Sequence, residues 1–124
     1  MARKKSQTLT EAELPIMEVL WRKSSGTVGD VADTLAKEKP VAYNTVLTLM
    51  RILERKGYVR HTKDGRAFVY HPVVGRGEAS RTAVRHLLSR FFNDSPELLV
   101  LNLLREEKID DREMERLRGL IGKE

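Results

Sequence analysis

The chain has no cysteine. Disulfides, thiolate metal sites and cysteine nucleophiles are excluded, and the composition fits a cytoplasmic protein. No run approaches the roughly 20 apolar residues a membrane-spanning helix needs, so no membrane partner is expected. Tryptophan occurs once, at Trp21, and is read as a core residue, not a surface for stacking a ligand. The three histidines, His61, His71 and His86, lack ligand spacing, so no metal is expected. No glycine-rich phosphate loop follows a strand and no nucleophile elbow is present. The acid pairs Glu106-Glu107 and Asp110-Asp111 fall on what reads as a solvated turn. No catalytic residue, cofactor or enzymatic activity is expected. The first residues, MARKKSQ, are basic and have no apolar run. They read as a solvated arm, with phosphate contact the alternative, and not as a secretory signal.

What the chain does have is an excess of positive charge. Its 124 residues carry 23 Lys and Arg against 18 Asp and Glu, a net charge of +5. Residues 1–76 hold 14 basic and 8 acidic residues, a balance of +6, whereas residues 77–124 hold 9 and 10, a balance of −1. A basic amino-terminal part on a near-neutral remainder suggests a polyanion-binding module joined to something else.

The stretch VAYNTVLTLMRILERKGYVRHTKDGRAFVYHP, residues 41–72, is the most informative. On a helix over Tyr43–Lys56, Val46, Leu49, Met50 and Leu53 share one stripe, while Asn44, Thr48, Arg51 and Arg55 project from the opposite side. Gly57 can supply the left-handed residue that ends the helix. Asp64-Gly65 between two β-prone runs, Val59–Thr62 and Ala67–His71, predicts a hairpin with Phe68 and Tyr70 on one face.

Two further helices precede this stretch. Thr10-Glu11-Ala12-Glu13 is a capping box, with Leu9 placed to staple onto Leu14. Leu14, Met17, Leu20 and Trp21 then fall at helical spacing. Pro15 predicts a strained or 3₁₀-like first turn. After Ser24-Ser25-Gly26, a second helix is expected over Val28–Lys37, with Thr27 and Asp30 as cap and partner. Lys39-Pro40 breaks the chain. Three helices followed by a hairpin give the winged helix-turn-helix order. In that fold the third helix enters the major groove. Asn44, Thr45, Thr48 and Arg51 are the candidates for base edges or nearby phosphates, with Tyr43 at the helix start. Arg55 is read as a phosphate or solvent residue. Lys63 and Arg66, at the hairpin tip, are expected on the DNA backbone or in the minor groove.

Beyond Pro72 the composition changes. Val73–Gly77 reads as a glycine-bearing linker. Val84, Leu87, Leu88, Phe91 and Phe92 form a helical stripe, Ser95-Pro96 starts another helix, and Leu98–Leu104 is apolar almost all round. A last helix is capped by Asp110 with Glu113, lined by Met114, Leu117, Leu120 and Ile121, and ended by Gly122. So short a segment rarely sustains a core alone, and a helix apolar on all sides must be enclosed. A second copy of the chain is the economical solution, with folding back onto the amino-terminal domain the alternative. Leu87, Leu88, Phe91, Leu98, Leu101, Leu104 and Leu117 are the candidate dimerisation residues. The fold class expected is therefore mainly α with a small β-hairpin, a winged-helix DNA-binding domain over 8–74 and a helical dimerisation domain over 75–124.

LTEAELPIMEVLW near the start, NTVLTLMRILERKGYV over the third helix and SPELLVLNLL followed by DDREMERLR together resemble the penicillinase-repressor family from Leu9 to Leu120. The resemblance implies a homodimeric bacterial transcriptional repressor on a pseudo-palindromic, double-stranded operator, in a group that includes regulators of antibiotic resistance. In the family's β-lactam-responsive branch it also implies an inducing sensor that triggers proteolysis within the second domain. The family's cleaved Asn-Phe bond corresponds to Asn102-Leu103, the candidate cleavage site, where Leu replaces Phe. The cysteine pairs of the family's copper-responsive branch have no counterpart. The alternative is a winged-helix protein-interaction module without sequence-specific DNA binding.

Overall fold

The computed structural model describes residues 8–107 and 109–122; the basic arm expected at 1–7 lies outside them. Among the described residues the element order is α1 (Glu13–Lys23), α2 (Val28–Ala36), α3 (Tyr43–Lys56), β1 (Val59–Asp64), β2 (Ala67–Pro72), α4 (Arg76–Phe91), α5 (Pro96–Glu106) and α6 (Asp111–Ile121). The chain is mainly α with one antiparallel hairpin, and α1 to β2 form a winged helix-turn-helix. None of the described helices is long and apolar enough to cross a membrane. The residues group into two compact units, one through Val84 and the other from Arg85.

In the first unit the helical stripes read from sequence meet in one core, except Leu14, which is exposed on α1. Ile16, Met17, Val19 and Leu20 of α1, Val28, Val31 and Ala32 of α2, and Val46, Met50 and Leu53 of α3 are buried together. Tyr58, Val59 and Tyr70 bring the hairpin into the same cluster. The β1–β2 register pairs His61 with Tyr70 and Lys63 with Phe68. Gly26 adds a third, one-residue strand, its backbone exchanging hydrogen bonds with Tyr70 at 3.0 and 2.8 Å. A lone two-stranded hairpin is marginal in water; this bridge and the burial of Tyr70 fix it to the helices.

Local chemistry sets the helix ends. Thr27 and Asp30 cap α2 reciprocally, and hydrogen bonds from the Thr27 backbone and hydroxyl hold the Asp30 carboxyl below the usual carboxylate range. The Thr10–Glu13 pair also forms, Glu13 N–H to Thr10 Oγ1 at 3.1 Å and Thr10 N–H to Glu13 Oε1 at 2.9 Å. The helix itself begins only at Glu13. Thr10 O accepts from both Glu13 and Leu14, a tight turn that leaves Pro15 in the first helical turn, where its missing N–H costs nothing. Ala42 makes no side-chain cap on α3, and Gly57 ends that helix with φ 89°. The strands extend one or two residues past their expected ends, and α2 stops one residue early.

The glycine-bearing segment at 73–77 differs from its expectation as a linker. Its Arg76 and Gly77 already belong to α4. The Trp21 indole donates to Val74 O at 2.9 Å, the Arg76 guanidinium lies 4.7 Å above the Trp21 ring, and Ala79 joins the core. These long-range contacts outweigh the modest helical cost of glycine.

In the second unit Ser95 caps α5 and Pro96 is its first residue, while Asp110 and Glu113 form the capping box of α6. Neither helix has a buried residue.

Glu13 is nearly inaccessible, and its carboxylate receives Lys56 Nζ at 2.8 Å. Lys56 also donates to Thr8 O at 3.1 Å. Removing one member of a buried pair strands the other charge, at a cost of roughly 3–5 kcal/mol. Lys56→Met should therefore lower the urea midpoint strongly. Glu13→Gln, which keeps an acceptor for Thr10 and leaves the more accessible lysine free to hydrate, should lower it less. Equal midpoints for wild type and Lys56→Met would show the pair to be dispensable.

Candidate nucleic-acid interface

The inner face of α3 is anchored by Val46, Met50 and Leu53, so its other face is held outward without being able to roll. Asn44, Thr45, Thr48, Arg51 and Arg55 are all exposed there, and Tyr43 at the helix start is 56% exposed. Asn44, Thr48, Arg51 and Arg55 follow one another at spacings of four, three and four residues, a row of donors and acceptors along one side. Lys56 does not belong to this row, being turned inward to Glu13.

The hairpin turns at Asp64-Gly65, where Gly65 adopts φ 66°, a conformation that favours glycine. Lys63 and Arg66 are exposed on either side of that turn. Lys63 Nζ lies 5.8 Å from the Phe68 ring centre. An open cleft of about 410 Å³ runs between the start of α2, α3 and β2, lined by Thr27, Gly29, Tyr43, Leu47, Arg66, Phe68 and Tyr70 among others. Tyr43 and Arg66, distant in sequence, thus border one cleft, and the row from Asn44 to Arg55 continues from Tyr43 along the helix.

Of two residues beside this surface, Glu54 is not singled out by the sequence, and His61 reads there only as a histidine without metal-ligand spacing. Both carboxylate oxygens of Glu54 lie 2.8–2.9 Å from His61 Nδ1, joining α3 to β1. His61 stacks on Phe68 with ring centres 4.2 Å apart and 15° between planes, and is tilted against Tyr70 at 5.6 Å. Burial, with Glu54 adding to it and Arg51 opposing it, pushes the Tyr70 phenol up. The available signal was the strand alternation that sets His61 on the same hairpin face as Tyr70.

Among the described residues no group of His, Asp and Glu is placed to hold a metal. In the second unit the candidate dimerisation residues lie at the surface or half-buried. Leu87, Phe91, Leu98, Leu101, Leu104 and Leu117 are exposed, Phe91 by 67%, and Leu88 is half-buried. Val100, Leu103, Leu120 and Ile121 add to this apolar surface. Asn102 and Leu103 are exposed within the helical span of α5.

A family model described as Penicillinase repressor matches residues 9–123. The penicillinase repressor of Bacillus licheniformis is 32% identical over 118 residues, which are 95% of this chain and 92% of that protein. The solution structure of the DNA-binding domain of the repressor BlaI is similar at 34% identity and a TM-score of 0.55, covering 62% of this chain and 93% of that one. The solution structure of the monomeric form of Bacillus licheniformis BlaI in complex with the blaP half-operator is similar at 32% identity and a TM-score of 0.51, with the same coverage.

Proposed function

This chain belongs to the penicillinase repressor family, and from that premise we propose that it is a homodimeric, sequence-specific DNA-binding repressor that blocks transcription by occupying a pseudo-palindromic operator. The observation that carries the reading is the anchored helix α3 with its exposed row Asn44, Thr48, Arg51 and Arg55. A rigid helix presenting amide, hydroxyl and guanidinium groups suits the donor and acceptor pattern of the major groove. Tyr43, Asn44, Thr45, Thr48 and Arg51 meet base edges or nearby phosphates. Arg55, Lys63 and Arg66 hold the phosphate backbone. The similar repressor in complex with a half-operator supports DNA as the partner.

Dimerisation rests on the second unit. Helices α5 and α6 expose Leu98, Leu101, Leu104, Leu117, Leu120 and Ile121, more apolar surface than a small monomeric segment normally leaves in water. A two-fold pairing of these helices encloses it and sets two copies of α3 against two half-sites.

Selection of bound fragments from genomic DNA of the source organism, with affinities measured across salt concentrations, tests the reading. One recurrent two-fold motif and a steep loss of affinity with salt are expected. A protein-docking module gives neither. Arg51→Ala should cost roughly 1–3 kcal/mol and relax preference at one position per half-site. Lys63→Ala with Arg66→Ala should weaken binding to all sequences and make the salt slope shallower by up to about 2. Equal losses on operator and random DNA for Arg51→Ala reassign it to phosphate positioning.

If the dimer interface lies in the second unit, unfolding depends on protein concentration. Leu101→Asp should then yield a monomer in analytical ultracentrifugation and abolish tight operator binding. A monomeric wild type at micromolar concentration would overturn the assignment.

Release from the operator proceeds, on this reading, by proteolysis at Asn102-Leu103. The bond lies inside α5, so cutting requires the helix to open locally, and a helix without buried residues opens more readily than a core one. Mass spectrometry after induction should find an amino-terminal fragment ending at Asn102, missing the last four residues of α5 and all of α6. An intact chain under conditions that relieve repression would rule this route out.

A further inference from the structure

We infer that His61 is a positioning residue for DNA binding: it fastens the hairpin to α3 through Glu54, and the pair takes up a proton when the polyanion docks. The inference rests on the reading of α3 and the hairpin as the DNA surface. Glu54 lies one helical turn from Arg51 and adjoins Arg55, so a carboxylate stands among the groups that would approach phosphate. Its two oxygens are both within 2.9 Å of His61 Nδ1. The imidazole is held in place by its stack on Phe68 and its contact with Tyr70.

With a neutral imidazole, Nδ1–H donates to Glu54 and the pair keeps one negative charge. Protonation at Nε2 makes the ring a cation without moving the Nδ1 hydrogen bond, and the pair becomes neutral. A surface about to meet phosphate gains from losing that negative charge, so binding and protonation favour each other. The side chains are 32% and 35% exposed, so solvent can deliver the proton.

The groups facing His61 are Glu54 from α3 and Tyr70 from β2; Lys63, on the same strand, sits over Phe68. Arg51 and Tyr43 act on the Tyr70 hydroxyl. Burial pushes the Tyr70 phenol up, so its hydroxyl stays protonated at neutral pH. His71 provides a control. It faces the other side of the hairpin, with Nε2 3.0 Å from Thr62 Oγ1, and among the described residues no carboxylate is paired with it.

The test uses the full chain and the genomic fragment recovered by selection, with affinity measured from about pH 6 to pH 8 at fixed ionic strength. Wild type should bind severalfold more tightly at the acid end, with one linked proton giving at most about tenfold per pH unit. His61→Phe keeps an aromatic ring against Phe68 and removes the proton; it should flatten the profile and bind like wild type at the alkaline end or more weakly. Glu54→Gln removes the carboxylate beside the ring and should tighten binding at the alkaline end; His61→Gln, which also removes the proton, serves as the deciding variant if His61→Phe loses its helical circular dichroism. His71→Gln should keep the wild-type slope. A wild-type slope retained in a folded His61→Phe or His61→Gln overturns the inference while leaving DNA binding in place. Absence of DNA binding by wild type at every pH overturns both.

Discussion

The carboxylate of Glu13 is the constraint on which the first unit is built. It is buried at the point where the chain enters α1, and it receives both the Thr10 amide and the Lys56 ammonium. A charge in that position is tolerable only while it is paired. The start of α1 and the last turn of α3 must therefore come together in one register, which fixes which side of α3 meets the core. Asn44, Thr48, Arg51 and Arg55 face outward as a consequence of that register. The buried ion pair thus explains why that row faces away from the core.

How much was legible in the sequence depended on the range of the interaction. The limits of α3, the boxes Thr27–Asp30 and Asp110–Glu113, and the Ser95-Pro96 start of α5 were readable because each is decided within a few residues. The row on α3 and the turn at Asp64-Gly65 followed from periodicity and from glycine at the turn. What escaped was long-range. Nothing local announces that Lys56 turns inward to Glu13, or that His61 meets Glu54. Residues 73–77 look like a linker by composition, yet the Trp21 indole and the Arg76 guanidinium draw the segment against α1 and the helix starts within it.

The second unit has a different logic. Its helices have well-formed ends and no buried residue in α5 or α6. Local capping specifies where each helix starts, but capping contributes only about 1 kcal/mol apiece, too little to hold short helices together in water. The stability this unit lacks as described has to come from burying its leucines.

The bridge between Gly26 and Tyr70 bears on solubility. It occupies the side of β2 that would otherwise be free, so β1 keeps the open sheet edge. Unpaired strand edges recruit strands from other molecules unless charge or irregularity repels them. β1 carries Arg60 and Lys63, both exposed, and two identical edges brought together would set these cations against one another. Lys63, at the tip of the hairpin, therefore also guards against sheet growth between copies.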